Sequence, residues 1–182
     1  LVIRGEYPTP LSSVLVNPLG ERSLVNYRDA DAVLPAESMD FSAIHPKVIL
    51  FDGHEPELSL SLMNDAPARG IKTVLDAGSL NKGTSRLFDK VDYLVCSERF
   101  ANELTGSSSP DGAMETLFSY SPNVVITLGK NGLIWKNACG KGHIPAFLVD
   151  VKDSTGAGDV FHEAFAGCLA LGKEWLENLT YS

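Results

Sequence analysis

The sequence predicts an α/β fold built on a central, mainly parallel sheet, and three observations predict it. Short β-branched and aliphatic runs recur at Val48-Ile49-Leu50-Phe51, Thr73-Val74-Leu75, Tyr93-Leu94-Val95 and Val124-Val125-Ile126-Thr127. These runs are continuous rather than alternating, which suits strands covered on both faces. Segments with helical spacing separate them, and strand, helix, strand implies right-handed crossovers and parallel pairing.

The elements follow in order. Residues 13–16 and 23–27 flank Asn17-Pro18-Leu19-Gly20-Glu21, a turn-rich interval that joins two antiparallel strands. After the first apolar run, residues 55–69 carry Leu58, Leu62, Met63 and Ala66 at helical spacing and close at Gly70. A second helix is expected over 97–104, ended by Gly106. A third is expected over 110–120, with Met114, Leu117 and Phe118 on one side. Gly129-Lys130-Asn131-Gly132 then reads as a turn into a second hairpin covering 133–135 and 143–149. From Val160 to Leu171 apolar side chains again fall at helical intervals, and residues 176–182 trail off behind them.

Composition narrows the function. The 182 residues support one main domain at about 100–200 residues per domain. With 44% apolar and 21% charged residues, disordered, collagen-like and coiled-coil classes are excluded. No apolar run approaches the roughly 18 residues of a membrane span. Lys plus Arg total 15 against 23 Asp plus Glu, a net charge of −8, so no broad cationic surface exists for nucleic acid or anionic lipid. An anionic ligand must therefore be held locally. Cys96, Cys139 and Cys168 are odd in number and far apart, which argues against a disulfide framework or zinc knuckle and fits a reducing cytoplasm. The chain opens on Leu1, shows no signal-peptide pattern, and is expected to be a partial one.

The chemistry concentrates in Asp153-Ser154-Thr155-Gly156-Ala157-Gly158-Asp159, which leads into the last strong helical pattern. Two glycines at a helix entrance expose unpaired backbone N–H groups at the positive end of the dipole, where a phosphate approaches without a Cβ in the way. Asp159 would lie beside that anion. Two readings stay open: Asp159 caps a helix, or it takes a proton from an alcohol while amides stabilise charge on a transferred phosphoryl group. No GxxxxGK[ST] loop and no HRD or DFG signature occurs, so a nucleotide would not be bound in the Walker or protein-kinase manner.

The same seven residues resemble the DTxGAGD signature of the ribokinase, or PfkB, family of carbohydrate kinases. Residues 125–132 resemble that family's nucleotide-site strand and turn, and residues 91–98 running into Leu104-Thr105-Gly106 resemble the strand and helix before it. The likeness extends over residues 48–171, and the opening hairpin resembles the small β lid. It implies a ribokinase-like three-layer sandwich with a central mainly parallel sheet, divided into a β-lid hairpin portion at 1–30 and an α/β domain at 31–182. The family's opening strands and last helices have no counterpart in the sequence. It further implies an ATP-dependent sugar kinase in which Asp159 is the general base on the sugar hydroxyl and Gly156, Ala157 and Gly158 form the anion hole. Thr127, Gly129, Gly132 and Ser97 would sit beside ATP, with magnesium. Asp153 and the carbonyl of Thr155 would help hold a monovalent cation such as K+. Arg28 would face the sugar or merely solvate a loop, and a homodimer would form through the lid. The acceptor could also be a vitamin or nucleoside, or the protein could be a non-catalytic nucleotide-binding relic.

Three departures bear on this. Ser154 replaces the usual threonine, and Glu163 stands where a small residue is usual. Ser97-Glu98-Arg99-Phe100 occupies the place of the family's NxxE motif. Ketohexokinase-like members also lack that motif, which points to a fructose-like acceptor. The remaining candidates read as structural: His45, His54, His143 and His162 show no metal spacing, and Cys96 sits on a buried strand. Asp52-Gly53-His54-Glu55 reads as a turn and helix cap, Asp76-Ala77-Gly78-Ser79 as a loop, and Lys130 as an exposed turn lysine or a phosphate contact.

Overall fold

The computed structural model describes residues 7–17, 22–29 and 33–182. A two-stranded antiparallel sheet pairs β1 (Leu11–Val16) with β2 (Arg22–Tyr27), Leu11 opposite Tyr27. Most of the turn expected between them, at 18–21, lies outside the described residues. Every residue of β1 is exposed, so the hairpin stands off the main body.

A six-stranded sheet follows chain order: β3 (Val48–Phe51), β4 (Lys72–Ala77), β5 (Tyr93–Ser97), β6 (Asn123–Thr127), β7 (Leu133–Asn137) and β8 (Gly140–Ile144). The first four strands are parallel; β7 and β8 add on antiparallel. Around them lie α1 (Pro56–Asp65), α2 (Thr84–Leu87), α3 (Glu98–Thr105), α4 (Pro110–Phe118), α5 (Ala157–Ala170) and α6 (Trp175–Tyr181).

The continuous apolar runs are explained by period-two alternation between two covered faces. Leu75, Leu94, Cys96, Val124 and Ile126 pack one way with Met63, Leu87, Phe100, Met114 and Leu117, from α1 to α4. Val74, Val95 and Val125 point the other way and meet Phe165 and Leu169 of α5 and Leu179 of α6. The architecture is thus a three-layer α/β sandwich, as expected. Each fully buried Leu or Phe of this kind contributes about 1.5–3 kcal/mol.

The structure amends three local expectations and adds one short helix. The helix over 55–69 ends at Asp65 and resumes as a single 3₁₀ turn at Pro67–Arg69, because a proline inside the run removes a helical N–H. The second hairpin is β7 and β8, ending at Ile144: Pro145 has no N–H for a ladder, and residues 145–150 carry no regular structure. Residues 84–87 form a helix too short to show periodicity. Finally, residues 175–181 are helical rather than trailing off. There Trp175 stands within 6.2 Å of the Tyr93, Phe165 and Trp135 rings, so burial of an aromatic cluster sustains a seven-residue helix. No described helix is long and apolar enough to cross a membrane.

Candidate active site

Parallel pairing puts the carboxyl ends of β3 to β6 on one edge, where ligands gather in open α/β sheets. Asp52, Asp76, Ser97 and Thr127 close those four strands. The turn of Gly129, Lys130 and Asn131 leaves β6 on that same edge, since Thr127 pairs with Leu133 of the returning strand. Arg28 arrives there from the hairpin, its Nη2 donating to the carbonyl of His54 at 2.6 Å and to Glu55 Oε1 at 2.9 Å. The helix α5 packs against this part of the sheet through His162, whose Nε2 lies 3.2 Å from the carbonyl of Val95 in β5.

At that turn the helix is capped by Gly156, not by an acid. Gly156 sits at φ 77°, ψ 0°, a left-handed conformation that a Cβ disfavours, and no side chain caps the helix. Asp159 falls three residues in. Its carboxylate is exposed and makes no hydrogen bond to any described residue, which removes capping as its role. Oδ2 lies 3.8 Å from where a Gly156 Cβ would stand, so the carboxylate folds back over the glycine turn.

The backbone beside it is open. The amide of Ala157 donates to the carbonyl of Ser154 at 3.3 Å and that of Val160 to Gly156 at 2.9 Å. The amides of Gly156, Gly158 and Asp159 donate to no described group, and nothing lies within 4 Å of the Cβ position of Gly158. Free amides, a helix N-terminus, bare space and one carboxylate make an anion site with a proton acceptor at its rim. The Asp159 amide is a donor that the glycine pattern alone did not single out.

Other predicted site residues are placed as follows. Ser97 Oγ accepts from the Phe100 amide at 3.0 Å and donates to the Gly78 carbonyl at 2.8 Å, capping α3 and tying the ends of β4 and β5. Thr127 Oγ1 donates to Cys96 at 3.4 Å. Gly132, at φ 86°, lets the chain pass β8: a Cβ there would stand 2.0 Å from the Ile144 carbonyl. Gly129, at φ 56°, faces open space. Asp153 Oδ1 accepts from the Thr155 amide at 2.8 Å in a tight turn. Cys96 is fully buried, its thiol pushed well up by desolvation, as a core residue should be. Asp52 closes the turn expected of it, Oδ1 accepting from the His54 amide at 2.8 Å.

A carboxylate and amides that donate to no described group thus stand at the mouth of a helix behind a DTxGAGD-like run, and comparison with known proteins decides the family. The model of the pfkB family carbohydrate kinases matches residues 1–181. The chain belongs to that family. A ribokinase of Bacillus subtilis is 29% identical over 198 residues, covering 94% of this chain and 61% of the relative. The ribokinase structure from Thermotoga maritima superposes with a TM-score of 0.81 at 26% identity, over 97% of this chain and 61% of that one. An Arabidopsis thaliana ribokinase complexed with ribose and ATP gives the same TM-score, 0.81, at 23% identity, over 96% and 60% of the two chains. The chain thus spans about three fifths of the length of these pfkB relatives.

Two residues of this pfkB chain's site were read in the sequence as structural only, His162 among the histidines without metal spacing and Asp76 in a strand-end loop. His162 is buried and Asp76 half-buried, with Nδ1 to Oδ2 at 3.4 Å. Asp76 is held above the ordinary carboxylate range by burial; the charge of His162 opposes this, while those of Asp159 and Asp52 add to it. The available signal was Asp76's place at the carboxyl end of a parallel strand.

Proposed function

We propose that the protein transfers the γ-phosphoryl group of ATP to a hydroxyl of a small sugar, with Asp159 as general base. The observation that carries this is the unspent carboxylate of Asp159 in the same helical turn as the unpartnered Gly158 and Asp159 amides. As the sugar oxygen attacks, its proton passes to an Asp159 oxygen, the new O–P bond forms and the bond to the β-phosphate oxygen breaks. The amides of Gly156, Gly158 and Asp159 take up the charge that develops on the phosphoryl oxygens. Thr127, Gly129 and Gly132 border the nucleotide in this reading. Ser97 supports the adjoining strand ends, and Arg28 is braced by Glu55 at the sugar side.

Magnesium supplies charge neutralisation on the nucleotide. Among the described residues no three His, Cys, Asp or Glu side chains converge on a metal, so the phosphates and water would be its main ligands. A monovalent cation would be held by hard oxygen donors, the Asp153 carboxylate and the Thr155 carbonyl. The hairpin, assigned to residues 1–30, serves as a lid that excludes water and favours transfer over hydrolysis. Its apolar exposed residues, Leu15, Val16, Leu24 and Val25 among them, suit pairing with a second copy. Three free cysteines fit a cytoplasmic protein. The place of the NxxE motif, held here by Ser97 and Phe100, favours a fructose-like acceptor.

The test is Asp159→Asn in the full-length protein, assayed against a panel of ketoses, aldoses and nucleosides. Turnover should fall by about 10²–10⁴-fold, the usual weight of a general base, with ATP affinity within about twofold of wild type. Near-normal turnover removes Asp159 as the base. Turnover on nucleosides alone replaces the sugar.

A further inference from the structure

Nothing in the phosphoryl-transfer reading uses His162, yet it is 3% exposed and touches three elements at once. Its Nδ1 lies 2.6 Å from the Gly158 carbonyl in α5 and 3.4 Å from Asp76 Oδ2 at the end of β4; its Nε2 lies 3.2 Å from the Val95 carbonyl in β5. The Phe161 ring stands edge-on at 5.8 Å. A space-filling role would need none of these polar partners, since an apolar ring of equal size would fill the same volume.

The Gly158 carbonyl is the other half of the peptide that carries the Asp159 amide. A trans peptide is planar, so a group that fixes the carbonyl also fixes the direction of that N–H and the Cα from which the Asp159 side chain departs. The first turn of α5 needs such a brace. It opens on a left-handed glycine at Gly156, carries a second glycine, helical, at Gly158, and has no side-chain cap. We propose that His162 is the positioning residue of the catalytic turn: it anchors the peptide joining Gly158 to Asp159 on the end of β4 and the middle of β5, so that free amide and carboxylate keep one geometry. This rests on the kinase reading for its catalytic consequence but not for the brace itself. His162 touches no reactant, and Asp76 holds the ring from the strand side.

The experiment compares three full-length variants. His162→Phe keeps the ring and loses both nitrogens. His162→Asn keeps a donor at about the place of Nδ1, within reach of the Gly158 carbonyl. His162→Gln keeps one nearer Nε2 and Val95. For Phe we expect kcat to fall about 10- to 100-fold, the cost of a small misplacement of a catalytic group, while KM for ATP and acceptor stays within about twofold. Asn should recover most of the loss and Gln little. Backbone ¹⁵N order parameters of Gly158 and Asp159 should drop from about 0.85 towards 0.6 in Phe and Gln but not in Asn, with Phe165 to Leu169 unchanged.

Wild-type kcat in the Phe variant overturns the proposal. So does an Asn variant no better than Gln in both readouts, a comparison that stands even if the Phe variant does not fold. Should the wild-type protein phosphorylate nothing, the kinase reading fails alone. The order parameters then decide the brace, and unchanged values at Gly158 and Asp159 overturn it.

Discussion

The carboxylate of Asp159 lies over Gly156, Oδ2 3.8 Å from the position of the absent Cβ. The base and the glycine that starts its helix therefore share one face of the turn. The two glycines of this turn do different things, and alanine separates them. Gly156→Ala forces a side chain into φ 77° and should cost about 1–2 kcal/mol, lowering Tm by roughly 2–8 °C. Gly158→Ala meets no atom within 4 Å and replaces a helical glycine, so it should raise stability by about 0.5–1 kcal/mol. Both should weaken ATP by about tenfold, because a Cβ now stands before an amide that must reach phosphate. Calorimetry and thermal unfolding on the same samples check the contrast. An unchanged ATP affinity in Gly158→Ala would place the phosphate elsewhere.

Glu55 joins the hairpin to the sheet from one side chain: Oε1 accepts from Arg28 at 2.9 Å and Oε2 from the Leu34 amide at 2.7 Å. Both partners flank the end of the hairpin, whereas Glu55 itself follows β3. The pair is about a third exposed, so Glu55→Ala should cost no more than about 1 kcal/mol overall. Its local effect should be larger. Amide exchange in β1 and β2 should quicken several-fold, and ATP hydrolysis without acceptor should rise relative to transfer as the lid holds water out less well. Exchange rates equal to wild type would show that the hairpin is seated by other contacts.

What the sequence revealed and what it hid follow from locality. Four apolar runs gave the parallel strands, because burial on both faces leaves no alternation to obscure them. The signature gave the α5 entrance, because glycine there answers a local backbone need. Whether Asp159 caps the helix or stands free was not legible: cap and third residue differ by a shift smaller than sequence patterns resolve. Nor was the meeting of His162 with Asp76 and Val95, residues 86 and 67 positions apart, which only the strand register produces. Ser97 hid a double role, since one hydroxyl both caps α3 and ties β4 to β5.

Gly132 marks a close crossing and should tolerate nothing larger. An alanine Cβ would stand 2.0 Å from the Ile144 carbonyl and 2.7 Å from the Ala146 amide, at a φ of 86°. Backbone rather than a flexible side chain blocks it, so Gly132→Ala should cost about 3 kcal/mol or more and loosen the β7–β8 edge. Gly129→Ala, at φ 56° in open space, should cost only about 1–2 kcal/mol. Denaturant unfolding of the two variants measures the gap. Equal losses would mean that the crossing relaxes.

Asp76 makes the stability of the protein fall as pH rises through the acid range. Burial holds its carboxyl above the ordinary value of 3.8; His162 opposes that shift, and Asp159 and Asp52 reinforce it. Between the unfolded value and the higher folded one, the folded chain keeps a proton that the unfolded chain has already released. Unfolding then releases protons, and its free energy declines with pH across that window. Below the window both states are protonated and the cost vanishes; above it the cost is fully present. Asp76→Asn carries no such charge, so Tm of the variant minus Tm of wild type should climb as pH rises above the ordinary carboxylate value and then level off. The difference subtracts the titration of every other carboxylate common to both proteins. A difference that falls with pH would mean that the attraction of His162 outweighs the desolvation of Asp76, reversing the order of the two effects assigned to this pair.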